Sequence, residues 1–341
     1  MSFDVDAVVL WVDGNDPEWI KEKERYKPAS DVTAKQADSS IRYRDWGLLP
    51  YWFRGIESFT PWIRKVHFVT WGHLPAFLNT ESPKLHVVRH VDYLPEESLP
   101  TFSSHTLELN LHRIPDLAEH FIYFNDDTFL TRPLEKSCFF DERSGDPGMH
   151  FIEYPVRFKG VTEPFQLFMA NDVGVINKHF AKRSISLSSY CGRFCSLNYP
   201  TGDNLRNVVM KLLLPEYYAG FKMFHSPSAF LKRTFEEVWK AEPELLKQTT
   251  MHRFRTVTDV NQWLLLMWQM ASGRFVPRRM DNGLYSITTA SVAGICRDIE
   301  QQAHDMICLN DDDENVDFET CSQRIADAFE KIFPDKSSFE K

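Results

Sequence analysis

The sequence predicts an α/β fold: a doubly wound, mostly parallel sheet in the first part of the chain, then a largely helical second part. Three observations carry this. Apolar runs that read as strands alternate with helix-period stretches over the first third of the chain, the rhythm of parallel sheets. The first run, residues 5–12 (VDAVVLWV), is almost continuously apolar, as expected of a strand covered on both faces. From Asn204 onward the apolar spacing is mainly helical.

Taken in order, the first strand ends in Asp13-Gly14-Asn15-Asp16-Pro17, a turn cluster. Residues 18–26 read as a short polar helix and residues 27–41 as a polar loop or flap. A helix over 48–59 tolerates Pro50 because it falls in the first turn. Strands follow at 65–71 and 85–90, with a helical turn at 74–78 between them. Residues 104–119 read as one helix with Leu107, Leu111 and Ile114 on its apolar stripe. A short strand at 121–124 runs directly into Asn125-Asp126-Asp127. Residues 141–148 are a charged turn, and 151–200 read as short strands and loops. Helices are predicted at 204–213, 228–240, 259–270, 297–303 and 319–332. The expected division is an α/β part over residues 1–150 and a mainly helical part over 151–341 that closes over it. Parallel sheets bind ligands just beyond the carboxyl ends of their strands, where both Asp13/Asp16 and Asp126/Asp127 fall.

With 39 Lys and Arg against 48 Asp and Glu, the net charge is −9, which argues against a nucleic-acid binder. A hydrophobic fraction of 43% excludes a disordered chain. No run approaches the roughly 20 apolar residues of a membrane helix. Residues 1–6 lack the features of a secretion signal, so a cytoplasmic protein is expected. Its cysteines (Cys138, Cys191, Cys195, Cys296, Cys308, Cys321) are then expected reduced and mostly buried. Cys191 and Cys195 have no second Cys/His pair at zinc spacing.

Asn125-Asp126-Asp127 is the strongest local signal. Two adjacent carboxylates and an amide make a hard, all-oxygen site suited to Mg²⁺ or Mn²⁺, although the motif reads equally as a solvated turn. Met251-His252-Arg253-Phe254-Arg255 sets an imidazole beside two guanidiniums, with Asp259 heading the next helix. The imidazole can take a proton from a hydroxyl, and the guanidiniums offer forked donors to phosphate. By itself the stretch reads as exposed and basic. His105, Glu108 and His112 share a helix face; His112 alone reads as solvent-facing, whereas Glu108 and Asn110 are better candidates. Arg42, Arg44 and Asp45 are placed to order over a ligand phosphate. The acidic run 309–315 reads as a solvated loop able to hold a cation.

In this order the pieces resemble the Stealth family, the sugar-1-phosphate transferases of bacterial capsule synthesis. The animal relative of that family is the lysosomal-enzyme N-acetylglucosamine-1-phosphotransferase. Four blocks carry the resemblance: Asp6-Ala7-Val8-Val9-Leu10-Trp11-Val12-Asp13-Gly14-Asn15-Asp16-Pro17; Arg42-Tyr43-Arg44-Asp45 through Glu108-Leu109-Asn110 to Asn125-Asp126-Asp127-Thr128-Phe129; residues 225–259; and Ile307-Cys308-Leu309-Asn310-Asp311 to Phe333-Pro334.

The resemblance implies a fold of the nucleotide-sugar-transferase type. It implies transfer of a hexose-1-phosphate (an N-acetylhexosamine-1-phosphate foremost) from a UDP-sugar donor to a hydroxyl of a saccharide acceptor, with release of UMP. On that reading Asp126 and Asp127 hold Mg²⁺ or Mn²⁺, and His252 is the general base. Arg253 and Arg255 hold phosphoryl oxygens. Trp11, Val12, Asp13, Gly14 and Asp16 form the nucleotide pocket, with Arg42, Arg44, Asn110 and Glu108 positioning the donor. Three alternatives use similar residues: a metal-dependent glycosyltransferase releasing UDP, a binding protein without catalysis, and a phosphodiester hydrolase. The last normally needs two metals and several histidines, and the sequence offers no such set. Capsule polymers are made at the inner face of the membrane, so Lys182-Arg183 or Lys232-Arg233 are open to peripheral membrane contact. The oligomeric state is not legible.

Overall fold

A computed structural model describes residues 3–27, 44–158, 164–279, 281–311, 313 and 315–341. The chain begins with β1 (Val5–Leu10) and α1 (Pro17–Tyr26), followed by α2 (Leu49–Phe59), β2 (Val66–Thr70) and β3 (Leu85–Arg89). Next come α3 (Ser104–Leu109), β4 (His120–Phe124), β5 (Thr128–Leu130), β6 (Gly148–Met149), α4 (Pro164–His179), α5 (Leu187–Phe194) and α6 (Thr201–Leu213). β7 (Ser228–Leu231), α7 (Lys232–Ala241), α8 (Pro243–Met251) and α9 (Gln262–Ser272) precede β8 (Val276–Pro277) and β9 (Asn282–Ser286). α10 (Val292–Glu300), β10 (Met306–Asn310) and α11 (Phe318–Ile332) complete it.

The main sheet runs β3-β2-β1-β4-β7, parallel except for β7, which pairs antiparallel with β4 at one edge. Alternation along β1 explains the two layers. Val5, Ala7 and Val9 face one core with Trp52, Phe53 and Ile56 of α2 and Ile325 and Phe329 of α11. Val8 faces the other core with Leu109 of α3 and Leu264, Leu265 and Met267 of α9. Each such side chain contributes about 1.5–3 kcal/mol on burial, and covering both faces is what a parallel sheet demands. A second sheet, β5-β10-β9, continues from the end of β4.

The chain runs outward from β1 through β2 to β3, then returns to lay β4 on the other side of β1. The order therefore reverses between β1 and β4, and their carboxyl ends open the crevice where such sheets bind ligands.

Several elements differ from expectation. The helix expected over 104–119 stops at Leu109, continues as a short 3-10 turn, Leu111–Arg113, and then meets Pro115. Residues 74–78 form a turn and a single bridge from Leu78 to Glu340, not a helical turn. The region expected as strands and loops holds α4 and α5 instead; Asn171, Asp172 and Gly174 dilute the apolar stripe of α4. The first four residues of the helix expected at 228–240 are β7, drawn into the sheet by β4. Asn261 caps α9 through its bond from the Trp263 amide, so this helix starts later than Asp259, and Gly273 ends it at φ 78°. Helix α10 begins at Val292 instead of 297.

A charged network locks the amino end of the sheet. Asp6, fully buried on β1, accepts from Arg64 Nε (2.9 Å) and Nη2 (2.7 Å), from His67 Nε2 (2.9 Å) and from the Ala118 amide (2.8 Å). Burial alone would raise this carboxyl; the Arg64 and His67 bonds outweigh it and hold the group down at about 2. A carboxyl held below its unfolded value of about 3.9 stabilises the fold above that pH and loses the contribution as pH falls towards 2. Asp6→Ala is therefore expected to destabilise the protein by roughly 3 kcal/mol at pH 7, since it strands Arg64 and His67. The penalty should shrink as pH approaches 2, as followed by urea unfolding of both proteins at each pH.

Candidate active site

Strand β4 delivers Asn125-Asp126-Asp127 to the crevice. The turn is closed by the Thr128 amide (3.1 Å) and hydroxyl (2.7 Å), both donating to the Asn125 carbonyl. Asp126 keeps contact with solvent although protein surrounds it, the placement of a residue on a cleft wall. That enclosure, with the charges of Asp127 and Asp45, pushes its carboxyl up to about 7. Burial also raises the neighbouring Asp127, opposed by His225 and by a bond from Cys308.

Asp127 does not stand with oxygen ligands alone. Ligand atoms of Asp127, His225 and Cys308 all lie within 4.8 Å of one another. His225 Nδ1 is 2.9 Å from Cys308 Sγ and 3.8 Å from Asp127 Oδ2, while Asn125 Nδ2 donates to His225 Nε2 at 2.7 Å. Asp127 Oδ1 is buried without a hydrogen-bond partner. A carboxylate, an imidazole and a thiol gathered together differ from the all-oxygen set expected from the motif, and Asp126 falls outside this trio. The pieces come from the end of β4, the turn before β7, and β10, which pairs antiparallel with β5.

The His252 element lies in the loop between α8 and α9. Asp259, fully buried, accepts from His252 Nδ1 (2.7 Å) through Oδ1 and from His105 Nδ1 (3.1 Å) through Oδ2. The Thr256 amide (2.9 Å) and hydroxyl (2.7 Å) complete its shell. Burial would raise this carboxyl, yet the bonds from His105 and His252 hold it down at about 2. Because a carboxylate only accepts, His252 carries its proton on Nδ1 and leaves Nε2 free to take another. His105 is shifted down, chiefly by burial.

Helix α3 joins this loop to the acidic turn. Its Thr106 hydroxyl donates to the His252 carbonyl (3.0 Å), its Ser104 Oγ accepts from Arg255 Nη2 (2.6 Å), and Glu108 accepts from Tyr123 of β4 (3.4 Å). Tyr123 is influenced by Asp126 and Asp127 and also by Arg255. Helix α3 therefore touches both the His252 loop and, through Glu108, the strand that carries the acidic turn. Arg253 lies over the Tyr26 ring at 4.9 Å and donates to the Leu99 carbonyl.

The turn after β1 is built by its own side chains. Asp16 caps α1 through the Glu18 and Trp19 amides (2.8 and 3.2 Å), and the Trp19 bond holds its carboxyl below the ordinary range. His73, from the turn after β2, accepts from the Asp13 amide (2.8 Å) and donates to Asp16 (2.9 Å). Trp11 meets the His73 ring edge-on, with Val12 and Gly14 half-buried beside it.

Other candidates sit elsewhere. Arg44 forks onto Asp311 (2.7 and 2.6 Å), joined by Trp46 Nε1 (2.9 Å), so it ties the chain to the end of β10. Arg42 lies outside the described residues. Asn110 is fully buried, and its amide donates to the Thr106 carbonyl and to Thr250 Oγ1, joining α3 to α8; it presents no surface to a ligand. His112 is not solvent-facing: its ring rests on Phe235 and Trp239, and burial pushes it down to about 3. Sequence reading noted Asp259, His225 and Cys308 without their roles and passed over His73. Only the seven-residue step from His252 to Asp259 carried a local signal.

The chain matches three family models: Stealth protein CR1, conserved region 1, over residues 3–31; CR2, conserved region 2, over 42–147; and CR4, conserved region 4, over 297–341. It is 36% identical to "Capsular polysaccharide phosphotransferase WcwK" of Streptococcus pneumoniae, covering 100% of both chains. It is 35% identical to "Receptor polysaccharide phosphotransferase WefC" of Streptococcus oralis, over 98% of this chain and 99% of that one. It is also 35% identical to "Exopolysaccharide phosphotransferase cps2G" of Lactiplantibacillus plantarum, over 99% and 97%. Among solved structures, the galactosyltransferase LgtC in complex with donor and acceptor sugar analogs aligns at TM-score 0.39 and 10% identity, over 94% of this chain and 95% of that one.

The Asp259 bonds fix a proton position that can be observed. Nitrogen-15 NMR of imidazole-labelled protein, in the neutral form of the ring, is expected to show His252 protonated on Nδ1. A dominant Nε2-protonated form would contradict the geometry.

Proposed function

The chain belongs to the Stealth family, and from that membership we propose that it transfers a sugar-1-phosphate from a UDP-sugar to a saccharide hydroxyl during cell-surface polysaccharide synthesis. What supports this reading is His252, fixed by Asp259 in a loop that α3 ties down through Thr106 and Ser104, while Glu108 of the same helix accepts from Tyr123 on the strand that leads into Asp126 and Asp127.

His252 Nε2 takes the proton of the acceptor hydroxyl. The hydroxyl oxygen bonds to the β-phosphorus, which bears the sugar, and the bond from that phosphorus to the bridging oxygen of the diphosphate breaks. UMP leaves with that oxygen, the C1–O bond of the sugar stays intact, and the product is a phosphodiester. Arg255 and Arg253 donate to the non-bridging phosphoryl oxygens, so most of the rate comes from positioning and charge stabilisation. Glu108, through Tyr123, keeps the wall between the two halves of the site in place. The turn from Trp11 to Asp16, braced by His73, receives the nucleotide. On this reading residues 1–150 bind the nucleotide sugar, residues 151–341 complete the active site and form the acceptor side, and the reaction runs at the cytoplasmic face of the membrane. An N-acetylhexosamine-1-phosphate is the transferred group.

A divalent cation fits the site. Asp127 Oδ1 lacks a partner, and His225 and Cys308 stand within ligand range of Asp127. These three residues would hold it, with Asp126 alongside, and an imidazole and a thiol favour Mn²⁺ over Mg²⁺. When bound, such an ion neutralises charge on the diphosphate.

Incubation with UDP-sugars and saccharide acceptors should release UMP and give a phosphodiester signal in phosphorus-31 NMR. Release of UDP with a phosphorus-free product would identify the glycosyltransferase reaction instead. His252→Ala should lower kcat by about 10²–10⁴-fold in protein that remains folded, as checked by circular dichroism, with some loss of melting temperature because Asp259 loses a donor. Asp259→Asn, which loosens the ring without removing it, should cost about 10²-fold in kcat with little change in KM. Near-normal turnover by the folded His252→Ala protein would remove His252 from this role.

A further inference from the structure

Helix α6 is built inside out. Two of its polar residues, Asn207 and Lys211, point into the protein. Asn207 is fully buried, donates to the Phe151 and Phe194 carbonyls (3.1 and 2.9 Å) and accepts from the Glu153 amide (2.9 Å). Lys211, also buried, donates to the Lys182 carbonyl at 2.8 Å. Its apolar residues point outward: Leu205 is 61% exposed, Val209 39%, Leu212 60% and Leu213 71%. At 3.6 residues per turn these four fall within an arc of about 100°. Leu197 in the preceding turn is fully exposed, and Tyr217 beyond the helix is half exposed. An apolar patch of this extent is a docking surface in a water-soluble fold.

The surroundings indicate what covers it. Of the seven Lys and Arg between residues 178 and 222, Lys182 and Lys211 are buried and bonded inward, whereas Lys178, Arg183, Arg206 and Lys222 are exposed, against Asp203 and Glu216 as the acids of the stretch, in a protein whose net charge is −9. Arg206 and Arg157 are exposed and lie over the same Tyr154 ring, at 4.9 and 4.5 Å. Arg183, with a side chain 72% exposed, pairs with Glu216 at 3.5 Å. Apolar side chains framed by guanidiniums match acyl chains beneath anionic headgroups. A second copy of this face would set those arginines against their own counterparts. Among the described residues no helix is long and apolar enough to cross a membrane, so the contact is with its surface.

We propose that the outward face of α6 docks the protein on an anionic lipid surface, with Leu205, Val209, Leu212 and Leu213 entering the headgroup boundary and Arg157, Arg183 and Arg206 pairing with lipid phosphates. This holds whatever reaction the protein performs. The test is flotation of the full chain with vesicles of phosphatidylcholine alone, or with one part phosphatidylglycerol to about two of phosphatidylcholine. The wild-type protein should float with the anionic vesicles only, and less as salt rises. Leu212→Asn combined with Leu213→Asn, which removes outward side chains and should leave the melting temperature unchanged, is expected to weaken binding about tenfold or more. Arg183→Glu combined with Arg206→Glu should also weaken it, while leaving the apolar face intact. Absence of flotation, equal flotation with neutral vesicles, or unchanged binding by the folded leucine variant would overturn the proposal. So would a solution dimer that the leucine variant splits, because the face would then join two copies.

Discussion

One buried carboxylate organises the loop that carries His252 and the helix packed against it. Asp259 has no access to water, and an isolated charge there would be costly. It is tolerated because two imidazoles, an amide and a hydroxyl converge on it. Those donors come from α3 and from the loop it terminates, so satisfying Asp259 also fixes the distance between them. Arg255, Ser104 and His252 inherit their positions from that requirement. Had Asp259 been exposed, its bonds would have been weak and the loop free to wander.

Charge distribution follows a second logic. Asp126 is enclosed and held near the like charges of Asp127 and Asp45, and burial first, then those charges, raise its carboxyl far above its ordinary range. A protein optimised only for stability would disperse them. Keeping them together is tolerable where a ligand brings compensating charge, and perturbed groups concentrate at functional sites for that reason. The opposite end of the same sheet shows the contrast: Asp6 meets Arg64 and His67 and is fully compensated.

Local pattern made the strands of the main sheet legible. The apolar run around Val8 implied burial on both faces, and the switch between β1 and β4 put Asp13 and Asp126 at the same end. Long-range pairing was not legible. Ser228–Leu231 has the composition of a helix start and becomes a strand only because β4 offers it an edge. Arg44 reads as a free phosphate ligand until Asp311, far along the chain, is seen to hold it. Asn110 looked like a donor contact because it is polar on a motif-bearing helix, yet it is consumed in joining α3 to α8. Helix α4 was missed because Asn171, Asp172 and Gly174 interrupt its stripe while tertiary packing supports it. His252 and Asp126 stood out since each is a cluster in sequence as well as in space.

The trio of Asp127, His225 and Cys308 is drawn from three well-separated stretches, and its last member arrives only when β10 settles against β5. No fragment ending before that strand contains the full donor set. An amino-terminal stretch that stops at β9 therefore carries every strand of the main sheet but only two members of the cluster, and the third is supplied by β10 of the second sheet.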